Sequence, residues 1–119
     1  MANAALFVGW GQVVRGRETK ALQVFNDSQV YYEGLRKAGK IESFETVILQ
    51  PHGGDLAGFV LLRGERAALD ALTSTPEFQT LTIRAGMIAD NVGVTSAAIG
   101  SELAEGMGRF VQAASELGS

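Results

Sequence analysis

An α+β fold in the order β-α-β-β-α-β, closed by a C-terminal helix, is what this sequence predicts, and two observations carry that expectation. Apolar residues alternate, as in "ALFVGWGQVV" at 5–14, and then switch to a three-four spacing, as in Ala21, Phe25, Ser28, Tyr32 and Leu35; each switch marks a change from strand to helix. Short turn signals, not a linker or a repeat, separate the segments so marked. Residues 1–119 are therefore expected to form a single domain.

The first strand reads as apolar on both faces, because Leu6, Val8 and Trp10 alternate with Phe7 and Val13, and such a strand belongs inside a sheet. After "RGRE" the helical stripe runs from Ala21 to Leu35, with Gly39 at its C-terminal stop. The second strand, "IESFETVILQ" at 41–50, carries Glu42, Ser43, Glu45, Thr46 and Gln50. Its polarity predicts a sheet edge. A turn at 51–55, "PHGGD", leads into the third strand, "LAGFVLLR", again apolar on both faces through Phe59 and Leu61 against Val60 and Leu62. A short helix from Glu65 to Leu72 is interrupted at "STPEF", where Thr75 is placed as an N-cap and Pro76 as the first residue of a new helix through Phe78, Leu81, Ala85 and Ile88. "NVGVTSAAIG", 91–100, is the fourth strand, and a helix over about 101–117 presents Leu103, Met107, Phe110, Val111, Ala114 and Leu117 as one stripe.

This order is the ferredoxin-like split β-α-β plan, a four-stranded antiparallel sheet of spatial order 4-1-3-2 plus a C-terminal helix. Strands one and three are central in that plan, in agreement with their two apolar faces. Its helices cover only one side of the sheet. The other side must be hidden by the C-terminal helix, by a second subunit or by both, since an exposed apolar patch of that size is a liability. Homodimerisation, with the two sheets closing into a barrel-like core, is the expected solution.

Composition narrows the partners. A net charge of -3 with only 10 Lys and Arg, at a pI of 5.1, argues against a nucleic-acid footprint, which needs clustered cations. No cysteine is present, which removes disulfide, zinc-thiolate and thiol chemistry and fits a reducing compartment. The start, "MANAALFVGWGQ", lacks a basic region and its apolar stretch is too short for a signal peptide or membrane span, so no membrane partner is expected and the expected location is cytoplasmic.

In its element order and in the stretches "VGWGQVVRGRE", "IESFE" and "PHGGDLAGF", the chain resembles the dimeric α+β barrel superfamily. That superfamily includes antibiotic-biosynthesis-type monooxygenases, haem-degrading monooxygenases, muconolactone isomerase-like proteins and stress-responsive barrel proteins. The resemblance covers residues 5–100 and implies a homodimeric barrel acting on, or binding, a small organic molecule. Haem-degrading members need an axial histidine on the second helical segment. Residues 65–90 hold none, so no haem, and no other cofactor, is expected.

Two groups of residues are candidates for chemistry. The topology places the 51–55 turn, the "RGRE" loop and the Asp90-Asn91 junction at one end of the sheet. His52 and Asp55 could there face Arg15 and Arg17 beside the N-terminus of the first helix, where free N–H groups favour an anion, and His52 beside a carboxylate could act as an acid or base. Pro, His, Gly, Gly and Asp are equally what a hairpin turn needs. The second group is a pocket between sheet and helices, lined by Ser28, Tyr32 and neighbouring aromatics, with room left by Gly9, Gly11, Gly93 and Ala97. Ser28 has an alternative use as a hydroxyl bonded to its own helix backbone. The "HGG" string lacks the G-x-S-x-G elbow of an esterase. A single histidine and no acidic cluster of ligand spacing predict no metal site. The function these features favour is binding of a small apolar or aromatic molecule without catalysis, with a cofactor-light monooxygenase or isomerase as the alternative.

Overall fold

The structure, a computed structural model, describes residues 2–118. In chain order it contains β1 (Ala4–Trp10), α1 (Glu18–Lys37), β2 (Ser43–Ile48), β3 (Gly58–Gly64), α2 (Arg66–Thr73), α3 (Pro76–Ile88), β4 (Gly93–Ala98) and α4 (Gly100–Glu116). The strands form one antiparallel sheet ordered β2-β3-β1-β4, which is the expected 4-1-3-2 order read from the other edge. β1 and β3, apolar on both sides, are the inner pair. None of the described helices is long and apolar enough to cross a membrane.

One side of the sheet is covered. Ala4, Leu6, Val60 and Leu62 point to the helices and meet Tyr32 and Leu35 of α1, Leu69 and Leu72 of α2, and Phe78 of α3. The helices stop and start where local chemistry dictates. α1 carries Glu18 in its first turn and Arg36 and Lys37 in its last, both favourable to the helix dipole, and Gly39 follows its C-cap at φ 74°. The break between α2 and α3 is made by Thr75, whose hydroxyl accepts the Phe78 N–H at 3.4 Å with Pro76 beginning the helix.

β1 ends at Trp10, short of the predicted 14, because residues 11–14 leave the sheet and zip onto the end of α3. Gly11 N–H donates to the Asp90 carbonyl at 2.7 Å, Asp90 N–H to Gln12 at 2.9 Å and Val14 N–H to Ile88 at 2.9 Å. The turn after β2 is likewise longer than 51–55: it is closed by Leu49 N–H to the Ala57 carbonyl at 2.9 Å, while Ala57 N–H reaches the Trp10 carbonyl at 2.8 Å.

The other side of the sheet carries no helix layer and its apolar side chains are only half-buried. The register that aligns Phe7 with Leu61 and Gly9 with Phe59 puts these side chains, with Val47, on the outer face, where Phe7 and Phe59 stack at 5.2 Å between ring centroids. α4 does not return over it. Leu103, Met107, Phe110 and Val111 remain 50%, 54%, 68% and 63% exposed, and the chain's radius of gyration of 16.4 Å exceeds the roughly 13.5 Å of a compact chain of this length.

What anchors α4 is its first turn. The Arg66 guanidinium forks onto Glu102, at 2.9 Å from Nε and 2.7 Å from Nη2, and Nη2 also donates to the carbonyls of Ala5 and Ala97, each at 3.1 Å. One side chain thus joins α2, β1, β4 and α4. The bond from Arg66 holds the Glu102 carboxyl below the usual carboxylate range.

The core side chains and the surface stripe of α1 should separate cleanly in stability. Leu62→Ala, at a site with 0% exposure, is expected to cost ~2–5 kcal/mol in urea unfolding, whereas Val30→Ala, 74% exposed, should stay within ~0.5 kcal/mol.

Candidate functional site

The sheet and its helices do not close completely on one another. A cavity of about 330 Å³ lies between them, walled by Val8, Trp10 and Val60 of the sheet, by Phe25, Ser28 and Tyr32 of α1, and by Leu81, Ala85 and Ile88 of α3. Trp10 forms its floor. The indole lies across Gly58, where a Cβ would stand 2.7 Å from Cζ2, so glycine at that position lets the ring lie flat on the sheet. Phe25 meets it edge-on at 6.3 Å.

The space comes from small residues on the helices, Ala21, Ser28 and Ala85. Of the residues on or beside the strands expected to provide it, Gly9 borders the cavity, while Gly11, Gly93 and Ala97 are not in its lining. Gly9 pairs with Gly93 and Ala5 with Ala97, on the same side as Phe7; a Cβ at Gly9 would strike the Phe7 ring at 2.5 Å. Their room belongs to the outer face of the sheet. Trp10, one position along, has the opposite orientation by alternation.

Few polar groups line this volume. The Ser28 hydroxyl donates to the Val24 carbonyl at 2.8 Å, so it is engaged by its own helix. Tyr32 is only 5% exposed and packs between Tyr31 and Phe44, with centroids at 5.8 and 5.7 Å. Its hydroxyl donates to no group among the described residues. Burial, reinforced by the neighbouring Tyr31, pushes the Tyr32 phenol up to about 12. Beside it Gln29 accepts from the Thr46 hydroxyl at 3.1 Å, while its buried Nε2 has no partner. Glu18 is the one carboxylate of the lining. Gln29 escaped the sequence reading because it is a polar residue at the edge of a helical stripe; its neighbour Ser28 on that stripe is the signal that pointed nearest to it.

The residues of the other candidate group lie at one end of the sheet, on the surface. His52 is exposed, and both ring nitrogens are engaged within its own turn: Nδ1 accepts the Gly54 N–H at 3.2 Å and Nε2 lies 2.7 Å from the Leu56 carbonyl. Those partners require the neutral tautomer with hydrogen on Nε2. Asp55 is exposed in the same turn, with its carbonyl oxygen close to Gly11. Arg15 and Arg17 are exposed as well, Arg17 occupying the N-cap of α1. Among the described residues no hydrogen bond or ion pair joins either arginine to His52 or Asp55, and no group of three potential metal ligands occurs.

No family model and no curated protein matches the chain. Among solved structures it is similar to a dimeric protein of unknown function and ferredoxin-like fold from Bacteroides fragilis, at 11% identity and TM-score 0.58, over 81% of this chain and 96% of that one. It is also similar to a proposed antibiotic biosynthesis monooxygenase from Caulobacter crescentus, at 15% identity and TM-score 0.58, over 83% and 92%. The chain has the ferredoxin-like fold. A third similar structure is SnoaB, a cofactor-independent oxygenase from Streptomyces nogalater, at 16% identity and TM-score 0.50, over 83% and 97%. These are ferredoxin-like proteins of the kind the sequence resembles, and identities this low carry the architecture alone.

The buried phenol has a pH signature. Tyr32 favours its neutral form in the folded chain, so its contribution to stability is complete below the ordinary tyrosine value of roughly 10 and is lost as pH rises through about 12. Absorbance titration of tyrosinate should show one phenol ionising only near unfolding. Tyr32→Phe should remove that step and flatten the alkaline loss of stability.

Proposed function

We propose that this protein is a homodimer that binds a small, largely apolar, aromatic molecule in the cavity between sheet and helices, without transforming it. The observation that carries this reading is the cavity itself: about 330 Å³, apolar on nearly every side, with an aromatic floor at Trp10 and an unengaged phenol at Tyr32. Pockets of this size and lining, with one or two polar groups to orient a ligand, are the ordinary form of small-molecule sites. Trp10, Phe25 and Tyr32 offer ring faces and edges to an aromatic guest. The acid-base constellation of a catalyst is missing from the lining, where Glu18 is the single carboxylate.

The second reading, a cofactor-light oxygenase or isomerase, is favoured by the similarity in fold to a cofactor-independent oxygenase, a fold-level analogy. The surface group of His52, Asp55, Arg15 and Arg17 adds little to either reading, because the histidine is committed to its turn.

Trp10 is the only tryptophan of the chain, so its emission reports directly on the cavity. Titration with a panel of one- to three-ring aromatic compounds should shift or quench that emission in a saturable way. Ala85→Phe, which fills the space from α3, should abolish the response while leaving the far-UV circular dichroism unchanged. A flat titration across the panel would remove the binding reading; oxygen uptake or product formation with a bound compound would replace it with the oxygenase or isomerase one.

A further inference from the structure

One buried donor on the cavity wall has no partner in its own chain. Gln29 borders the cavity, and its amide is held by one end only. Oε1 accepts the Thr46 hydroxyl at 3.1 Å, while Nε2, with its two N–H groups, is buried and bonded to nothing among the described residues. Buried amide nitrogens are nearly always paired, because the water such a group loses has to be replaced by another acceptor. The Thr46 bond also fixes where the amide stands. Thr46 lies on the helix side of the sheet, paired across it with Val60, and Val60 is itself part of the cavity wall. The amide is therefore pinned at the border of the cavity, where α1 crosses β2. Tyr32, three positions on along the same helical face, adds a phenol to the same stretch of wall.

The rest of the wall decides which acceptor suits these donors. No lysine, arginine or histidine lines the cavity among the described residues, and its one carboxylate, Glu18, is exposed at the rim. Neutral donors without a cation do not compensate the desolvation of an anion, and the rim carboxylate repels one. A neutral carbonyl oxygen has two lone pairs and no charge to desolvate, so it accepts from both an amide and a hydroxyl.

We propose that Gln29 is the specificity-determining residue of the cavity: its Nε2, with the Tyr32 hydroxyl beside it, selects a neutral aromatic ligand bearing a carbonyl oxygen. Hydrocarbon, carboxylate and hydrogen-bond-donor analogues are disfavoured. This deepens the binding reading above and rests on it. The rings of such a ligand lie toward Trp10 and Phe25, which meet edge-on at 6.3 Å. Phe25 precedes Gln29 by four residues, about 6 Å along the helix at roughly 1.5 Å per residue, so the carbonyl belongs at about that distance from the ring centre.

The test uses the full chain and a set of probes of one size: 2-acetylnaphthalene, 2-isopropylnaphthalene, 2-naphthoate and 2-naphthylamine. By calorimetry the ketone is expected to bind at least about ten-fold tighter than each of the others, roughly 1.4 kcal/mol. Gln29→Met keeps the length of the side chain and removes the amide. It should lower the ketone's affinity at least about ten-fold and leave the hydrocarbon's within about two-fold. With the unpaired donor gone, the Tm of the ligand-free variant should equal or exceed that of the wild type. The infrared carbonyl stretch of isotope-labelled ketone should move to lower frequency on binding the wild type, and much less on binding Gln29→Met.

Equal affinity for ketone and hydrocarbon, or tightest binding of the carboxylate or the amine, overturns the proposal and leaves the binding reading standing. A Gln29→Met chain that loses stability yet keeps the ketone's advantage assigns the amide to holding α1 on β2, and overturns it as well. Where that variant does not fold, the wild-type ranking and the carbonyl shift decide. A chain that binds none of the probes ends the binding reading, and this inference with it.

Discussion

A sheet with two apolar faces and helices on only one of them is the constraint from which the rest of this structure follows. β1 and β3 are hydrophobic on both sides because they lie at the centre of the sheet, and the β-α-β-β-α-β order delivers both crossover helices to the same side. Leu6, Val60 and Leu62 are then sealed by α1, α2 and α3. Phe7, Phe59 and Leu61 are left half-buried, with Phe7 and Phe59 stacked on each other. The chain folds around the helix side of its sheet and leaves the apolar side chains of the other side half-buried.

Arg66 gives that arrangement its shape. Its guanidinium reaches Glu102, 36 positions on in the chain, and the carbonyls of Ala5 and Ala97. It therefore welds the first turn of α4 to the edge of the sheet at the point where the helix leaves the body. A lysine could supply the charge but not the planar fork that satisfies two strands and a carboxylate together. On the covered side, the mismatch between large strand residues and small helix residues at Ala21, Ser28 and Ala85 leaves the cavity. Trp10 links these two consequences, lying against Gly58 on the sheet while its neighbour Gly9 belongs to the outer face.

Much of this architecture was legible in the sequence because it depends on periodicity. Two-faced apolar strands marked the sheet centre, the Ala21 to Leu35 spacing marked α1, and Thr75 with Pro76 marked the start of α3. Tyr32 and Ser28 were legible as cavity-side residues for the same reason, since both fall on the helical stripe. What the sequence did not disclose depends on contacts distant along the chain. The zipping of residues 11–14 onto 88–90 shortens β1 through backbone bonds that no side chain announces. Which side of β1 the small residues occupy is a matter of register, and a one-residue phase shift exchanges the two faces. Arg66 and Gln29 look like ordinary polar helix residues until the strands that meet them are in place.

The claim on which all of this turns is that a second copy completes the fold, and sedimentation equilibrium of the unmodified chain over a range of micromolar concentrations tests it most directly. A mass of about twice 12.6 kDa that persists on dilution is the predicted result. A mass that remains 12.6 kDa at every concentration would contradict it, and would mean that the outer sheet face and the α4 stripe stand in water uncovered.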